Sequence, residues 1–183
     1  MGVPAFRLRF DVLRDTKIVD DWLRAFTHES GHAAMAAVQL VRCYGIFLRK
    51  FPMIATALVP PLPPPSEQTN GHRLFLAAGS AAERIIFHTA DSTASKEDRR
   101  IFGNPQGTTF DEKVAEAEPI LLKRKPAIEG MAARLYGMYK KSGGDFSAFP
   151  SQLVDMGEGV QDYWVLLNEE ELKEELKDVD QSS

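Results

Sequence analysis

The sequence predicts a mainly α-helical domain with a small β element. Apolar side chains recur at the spacing of an amphipathic helix through several long stretches of the chain. A single stretch, 43–60, is instead rich in aromatic and β-branched residues, with Pro52 in its middle. Clusters of glycine and proline separate the stretches, as is typical of loops and helix ends.

The first predicted helix begins at Asp20 or Asp21, either of which can cap it, and runs to about Arg42. Its apolar residues follow helical spacing: Ile18, Trp22, Phe26, Ala33, Ala36 and Leu40. The β-type stretch that follows predicts one or two short strands at a sheet edge. The proline run in 59–71 then predicts a stiff loop, with the docking of a partner protein as the alternative.

Further helices are predicted after this loop. A helix rich in small residues is expected at 72–87, and a short one at 96–102. The stretch 108–141 has helical spacing over most of its length. Pro119 and Pro126 lie inside it, and each predicts a kink or a restart of the helix.

Length and charge predict one domain at 1–153, followed by an acidic C-terminal helix and tail at 154–183. The chain has 183 residues, the size of a single domain. The last thirty residues carry a net charge of −8, against −4 for the whole chain, so the rest carries +4. Short helices are expected at 145–156 and 160–179. The body has no basic–aromatic cluster, so nucleic-acid binding is not predicted.

Composition excludes several classes of protein. The single cysteine, Cys43, cannot form an internal disulfide, and we expect it to be a buried small hydrophobic residue. No segment approaches the roughly 20 apolar residues of a membrane span. The first residues lack the apolar run of a signal peptide, so we expect a cytoplasmic protein. No G-x-x-x-x-G-K-[ST] stretch is present, so these residues encode no P-loop ATPase.

The stretch HESGH, 28–32, carries the strongest indication of chemistry. On a helix, His28 and His32 lie on one face, about 5–6 Å apart at Cβ, where both imidazoles reach one Zn²⁺ ion. Glu29 projects about 100° around the helix, so it flanks the metal instead of binding it. There it can take a proton from a zinc-activated water and deliver it to a leaving amine. The alternative is a helix with two merely exposed or hydrogen-bonded histidines.

A tetrahedral catalytic site needs a third protein ligand, since water takes the fourth position. The extended pattern H-E-x-x-H-x-x-G-x-x-H would supply a histidine, but Met35 and Val38 stand where its glycine and last histidine would be. The third ligand must therefore come from farther along the chain. Gly31, inside the predicted helix, indicates that another element packs closely there.

A second informative stretch is LFLAAGSAAERIIFHTADSTASKEDRR, at 74–100. Together with HESGHAAMA, it resembles the peptidase domain of the FtsH-type ATP-dependent zinc proteases, over about residues 15–155. The matching positions are Gly79, Ala81, Ala82, Glu83, Ile86, Phe87, Ala94 and Ser95. His88 stands where the family has a glycine, and the family's ATPase module has no counterpart in this chain. The resemblance implies a helical metallopeptidase domain with a small β element after the HExxH helix.

The resemblance also implies an acidic third ligand. Ungapped alignment places it at Glu97, with Arg100 on an arginine of the family, while a one-residue insertion would move it to Asp98. We expect Glu97 first and Asp98 second. Glu83 is expected to pack and form hydrogen bonds, with metal ligation as the alternative, and Asp91 is a weaker candidate.

These motifs predict an ATP-independent zinc metalloendopeptidase, a hydrolase that cuts peptide bonds with a zinc-activated water. Peptides or unfolded proteins are the expected substrates, and the strand around 44–50 is expected to hold an extended substrate by β-addition. A homo-oligomer or a separate partner protein is compatible with this prediction. The alternative from a different class is a non-catalytic interaction module descended from the peptidase fold.

Overall fold

The computed structural model describes residues 21–50, 53–103, 107–155 and 159–177, and within them six α-helices and four β-strands. The elements in chain order are α1 (Asp21–Val38), β1 (Gly45–Arg49), β2 (Ile54–Leu58), α2 (Asn70–Phe87), α3 (Lys96–Phe102), α4 (Phe110–Leu122), α5 (Lys125–Ser142), β3 (Ser151–Asp155), β4 (Val160–Asn168) and α6 (Glu169–Lys177). A mainly helical fold with a small β element is thereby confirmed. None of the described helices combines the length and the apolar composition needed to cross a bilayer.

Helices α1 and α2 form the centre of the domain and approach each other closely. A Cβ on Gly31 of α1 would lie 2.5 Å from Ala82 Cβ and 2.7 Å from the Ala78 carbonyl oxygen of α2. No side chain fits at these distances, so glycine and alanines make the close contact possible. The close packing expected from a glycine inside this helix is confirmed.

The other long helices pack on this central pair. Helix α4 lies against α2, and α5 lies against α1. Pro126 stands in the first turn of α5, where a residue needs no N–H donor, so the expected restart of the helix is confirmed. Pro119 lies inside α4 without ending it. Large apolar side chains fill the core between these elements, among them Phe26, Met35, Leu76, Leu121 and Ile128.

The four strands form one antiparallel sheet with the order β2-β1-β4-β3. Strand β1 is paired on both sides, so the expected β-addition of a substrate at 44–50 is wrong. Strand β2 is the edge strand on the side of α1, and no other described strand pairs with its outer side. The sequence predicted a strand at a sheet edge here, and β2 is that strand.

Strands β3 and β4 replace most of the two helices expected at 145–156 and 160–179. Among the described residues of these stretches, only Glu169–Lys177 is helical. Strand β4 lies between β1 and β3, and its central Tyr163 is buried. The pairing of β4 with β1 joins parts of the chain that are distant in sequence, and such contacts override local helical spacing. The domain boundary expected after residue 153 falls inside β3.

Candidate metal centre

Two histidine side chains of α1 converge on one aspartate of α3. His28 Nε2 lies 2.9 Å from Asp98 Oδ2, and His32 Nε2 lies 3.3 Å from the same oxygen. The four-residue spacing places both imidazoles on one face of α1, with ring centroids 4.8 Å apart. Within the described residues, no other group of three or more His, Cys, Asp or Glu side chains is arranged to hold a metal ion.

The second nitrogen of each imidazole is held by a hydrogen bond to α2. His28 Nδ1 donates to Glu83 Oε1 over 2.8 Å, and His32 Nδ1 donates to the Phe75 carbonyl oxygen over 2.7 Å. Carboxylate and carbonyl oxygens only accept, so each Nδ1 carries a hydrogen, and Nε2 is the nitrogen that a metal could bind once its own proton is lost. Outer partners of this kind orient the histidine ligands in most zinc sites.

Glu83 is a fully buried carboxylate that serves as the outer partner of His28. Its Oε2 accepts hydrogen bonds from Arg24 Nη1 and from the Asp91 backbone N–H, both over 2.8 Å. Arg24 also donates to the carbonyl oxygen of Thr89. Protein donors therefore occupy both oxygens of Glu83, and Asp91 contributes its backbone to this network.

Two of the three separations between the converging atoms match those of a small tetrahedral metal site, and all three atoms lie within 4.8 Å of one another. With metal–ligand distances near 2.0–2.1 Å, neighbouring ligand atoms of a tetrahedral zinc site are about 3.3 Å apart. The separations from Asp98 Oδ2 to the two Nε2 atoms, 2.9 and 3.3 Å, are close to that value. Two histidines and one carboxylate also leave a fourth position open, which is the composition of many catalytic zinc sites.

Charges in the centre favour the ionised forms of its members. Burial alone would lower the pKa of His28 and His32, but the nearby Asp98 carboxylate raises the pKa of both, with Glu83 adding to the effect at His28. Burial alone would raise the pKa of Asp98, but the two imidazoles hold that pKa well below its usual range. A metal ion held by His28, His32 and Asp98 would therefore have to displace protons from the imidazoles.

Glu29 flanks the two histidines, and its carboxylate is tied to the sheet. Oε2 accepts a hydrogen bond of 2.7 Å from the Ala57 backbone N–H in β2. Burial raises the pKa of Glu29, and the neighbouring histidines oppose that increase. Glu29 lines the same cleft as His28 and His32. The hydrogen bond positions one oxygen and leaves Oε1 for another proton donor.

Glu97, which the sequence favoured as the third ligand, lies outside the converging group. Its carboxylate forms an ion pair with Arg100 Nε and Nη2, and 62% of its side chain is exposed. Consecutive side chains on a helix point about 100° apart, so a helix that turns Asp98 towards the histidines turns Glu97 away. The geometry therefore favours Asp98, the second choice from the sequence.

Gly79 makes room for His28 beside α2. A Cβ at this position would lie 2.3 Å from His28 Nε2 and 2.5 Å from both Cδ2 and Cε1. The imidazole thus lies directly against the α2 backbone, and any side chain at Gly79 would displace it. In the sequence Gly79 is only one match to a family pattern, and the steric reason for a glycine emerges from the packing of α1 on α2.

A cleft of about 550 Å³ opens beside the converging group. Strand β2 and the proline segment, defined here as residues 59–65, form one side of it. Apolar residues of α2, the histidines and Glu29 of α1, and the mostly charged residues of α3, Glu97 among them, line the rest. Buried Gln68 donates hydrogen bonds to the carbonyl oxygens of Pro63 and Ile101. The proline segment is therefore fastened to α3, the helix that carries Asp98.

The two remaining histidines, His72 and His88, and the cysteine are not members of the metal centre. His72 accepts a hydrogen bond from the Thr69 backbone N–H in the capping box that begins α2. His88 ends α2 with a φ of 62°, in the left-handed region. Cys43 is partly buried, and burial raises the pKa of its thiol to about 11.

Comparisons of the chain with protein-family models, with curated proteins and with solved structures gave no match. The resemblance to FtsH-type peptidases therefore stays an expectation from the sequence. Any function for the centre has to be argued from its own residues and their geometry.

Proposed function

We propose that the chain is an ATP-independent zinc metalloendopeptidase, with His28, His32 and Asp98 as metal ligands and Glu29 as general base. One observation carries the proposal: two imidazole Nε2 atoms converge on a single carboxylate oxygen, while an acceptor on α2 holds each Nδ1. Burying three ionisable groups at one point is costly unless they bind one another or a metal ion. The order H-E-x-x-H also places a carboxylate next to the ligands, where a metallopeptidase needs its base.

Each residue of the centre has a separate role in the proposed hydrolysis. A zinc ion held by His28, His32 and Asp98 would supply a Lewis acid that polarises the substrate carbonyl and makes water reactive at neutral pH. Glu29 is placed to accept a proton from the attacking water and to deliver it to the leaving nitrogen. The hydrogen bond from Ala57 keeps Glu29 beside the ligands during both transfers. Glu83 and the Phe75 carbonyl hold the two imidazoles in the tautomer that presents Nε2.

The outer side of β2 supports a peptide as the substrate. The Ala57 N–H donates to Glu29 and therefore points away from β1. Peptide groups alternate in direction along an antiparallel strand, so Ala55 presents its N–H and C=O on the same outer side. An extended polypeptide in the cleft can pair with these groups through its own backbone. Such pairing requires an unfolded segment and reads few side chains.

Metal content and the variant Glu29→Gln test the proposal in the full chain. The purified protein is expected to carry about one zinc per chain and to cut casein or short peptides without ATP. Glu29→Gln should keep its zinc and its circular dichroism spectrum but cut at least about 100-fold more slowly, because an amide does not accept the proton. Glu170→Gln changes an exposed carboxylate of α6 that does not line the cleft, so it is the matched control and should keep full activity.

Each outcome bears on a different part of the proposal. Less than about 0.1 zinc per chain, in protein prepared without chelator, would contradict the metal centre. Full activity in Glu29→Gln would contradict the role of that residue as the base. Cleavage that requires a nucleotide would contradict ATP independence. Zinc binding without cleavage by either protein would favour the non-catalytic interaction module.

A further inference from the structure

A second cavity, of about 270 Å³, adjoins the metal centre. It shares His28, Glu29 and the first residues of β2 with the main cleft. From these shared residues the main cleft extends along β2 to the proline segment, whereas the second cavity extends to Met53 and to the first turn of α1. Each residue of a strand advances about 3.3 Å, so Met53 and Val59 are about 20 Å apart along the strand direction. A cleft therefore continues along β2 in both directions from Glu29.

The second cavity has a mostly apolar lining. Trp22 and Ala25 contribute from α1, while Met53 and Ile54 contribute from the start of β2. Met53 and Ile54 are 41% and 48% exposed, although both are large and apolar. Exposed apolar groups around a concave surface are typical of binding sites. The volume equals that of roughly nine water molecules in the liquid, which is enough for one large side chain.

We propose that this cavity is a subsite for one large apolar side chain, such as leucine, methionine or phenylalanine, on one side of the bond to be cut. The inference rests on the proposed peptidase function and adds a substrate preference to it. Met53 precedes Ala57, whose N–H binds Glu29, by four positions. A peptide that pairs with the outer side of β2 and is cut beside Glu29 therefore reaches the cavity within four residues of the cut. Exposed Asp21 at the rim disfavours an acidic side chain there.

Cleavage-site mapping with Met53→Glu tests the subsite. Wild-type protein loaded with zinc is given a library of short peptides, and the cut positions are read by mass spectrometry. We expect apolar residues to be enriched at one fixed position on one side of the cut. Met53→Glu should lower kcat/KM at least about tenfold for peptides with leucine at that position, and lower it less for peptides with lysine there. Leu153→Glu is the matched control, because this leucine is 68% exposed on β3, at the opposite edge of the sheet.

A binding measurement separates recognition from turnover. The zinc-loaded Glu29→Gln protein should bind a fluorescent leucine-containing peptide, as followed by anisotropy, and the added change Met53→Glu should weaken that binding about tenfold. Cleavage without any side-chain preference, or equal behaviour of Met53→Glu and Leu153→Glu, would overturn the subsite and leave the peptidase function standing. A wild-type protein that cuts no peptide, together with a Glu29→Gln form that binds none, would overturn both.

Discussion

Replacing Gly79 with alanine should displace a metal ligand without removing it. The added Cβ would lie 2.3 Å from His28 Nε2, whereas non-bonded heavy atoms in contact are about 3.5–4.0 Å apart. The imidazole must therefore move by about 1 Å or more, because moving α2 away from α1 instead would give up the close packing around Gly31. Metal sites hold their ligand distances within about 0.2 Å. Changes in the outer partners of a ligand already cost 10–100-fold in affinity. We therefore expect Gly79→Ala to lower zinc affinity by at least about 100-fold.

Chelator competition measures this loss, and Gly130→Ala provides the matched control. Gly130 also lies within a helix, but a Cβ there would meet no atom closer than Glu175 Oε2 at 3.9 Å. That variant should bind zinc as the wild type does and gain up to about 1 kcal/mol of stability, since alanine favours a helix over glycine. Circular dichroism checks that both variants fold. A folded Gly79→Ala protein with zinc affinity within about threefold of the wild type would refute the steric argument.

Three further outcomes are expected. Asp98→Ala should lower zinc affinity severely and Glu97→Ala only slightly, because Asp98 alone of the two meets the histidines; equal losses in a chelator competition would contradict this ligand set. His88→Gly should raise the free energy of unfolding by about 1 kcal/mol in thermal or urea unfolding, because a φ of 62° strains a residue that has a Cβ. Cys43 should react with iodoacetamide at pH 8 about 100-fold more slowly in the folded than in the denatured protein. The reason is that burial raises the pKa of the thiol from 9.0 to about 11, and only the thiolate reacts. Equal rates would show that the thiol is not shielded.

The sequence by itself determined the parts of the centre that lie on one helix. His28, Glu29 and His32 have a relation that follows from helical geometry alone, because residues four apart share a face and adjacent residues point about 100° apart. The glycine in the same helix predicted a close neighbour for a similar reason, since a helix interior disfavours glycine unless something needs the space. The structure has both features where the sequence predicted them.

Tertiary structure decided which residue is the third candidate ligand and which strand edge is open to a peptide substrate. Glu97 and Asp98 are adjacent acidic residues on a short helix, and the orientation of α3 relative to α1 decides which of them meets the histidines. Likewise, the pairing of β4 with β1 makes β1 an inner strand and leaves β2 at the edge. The spacing of residues along the chain indicates only which residues are neighbours within one or two turns of a helix. These two outcomes arise from contacts between segments separated by about 70 residues or more, so no local pattern in the sequence contains them.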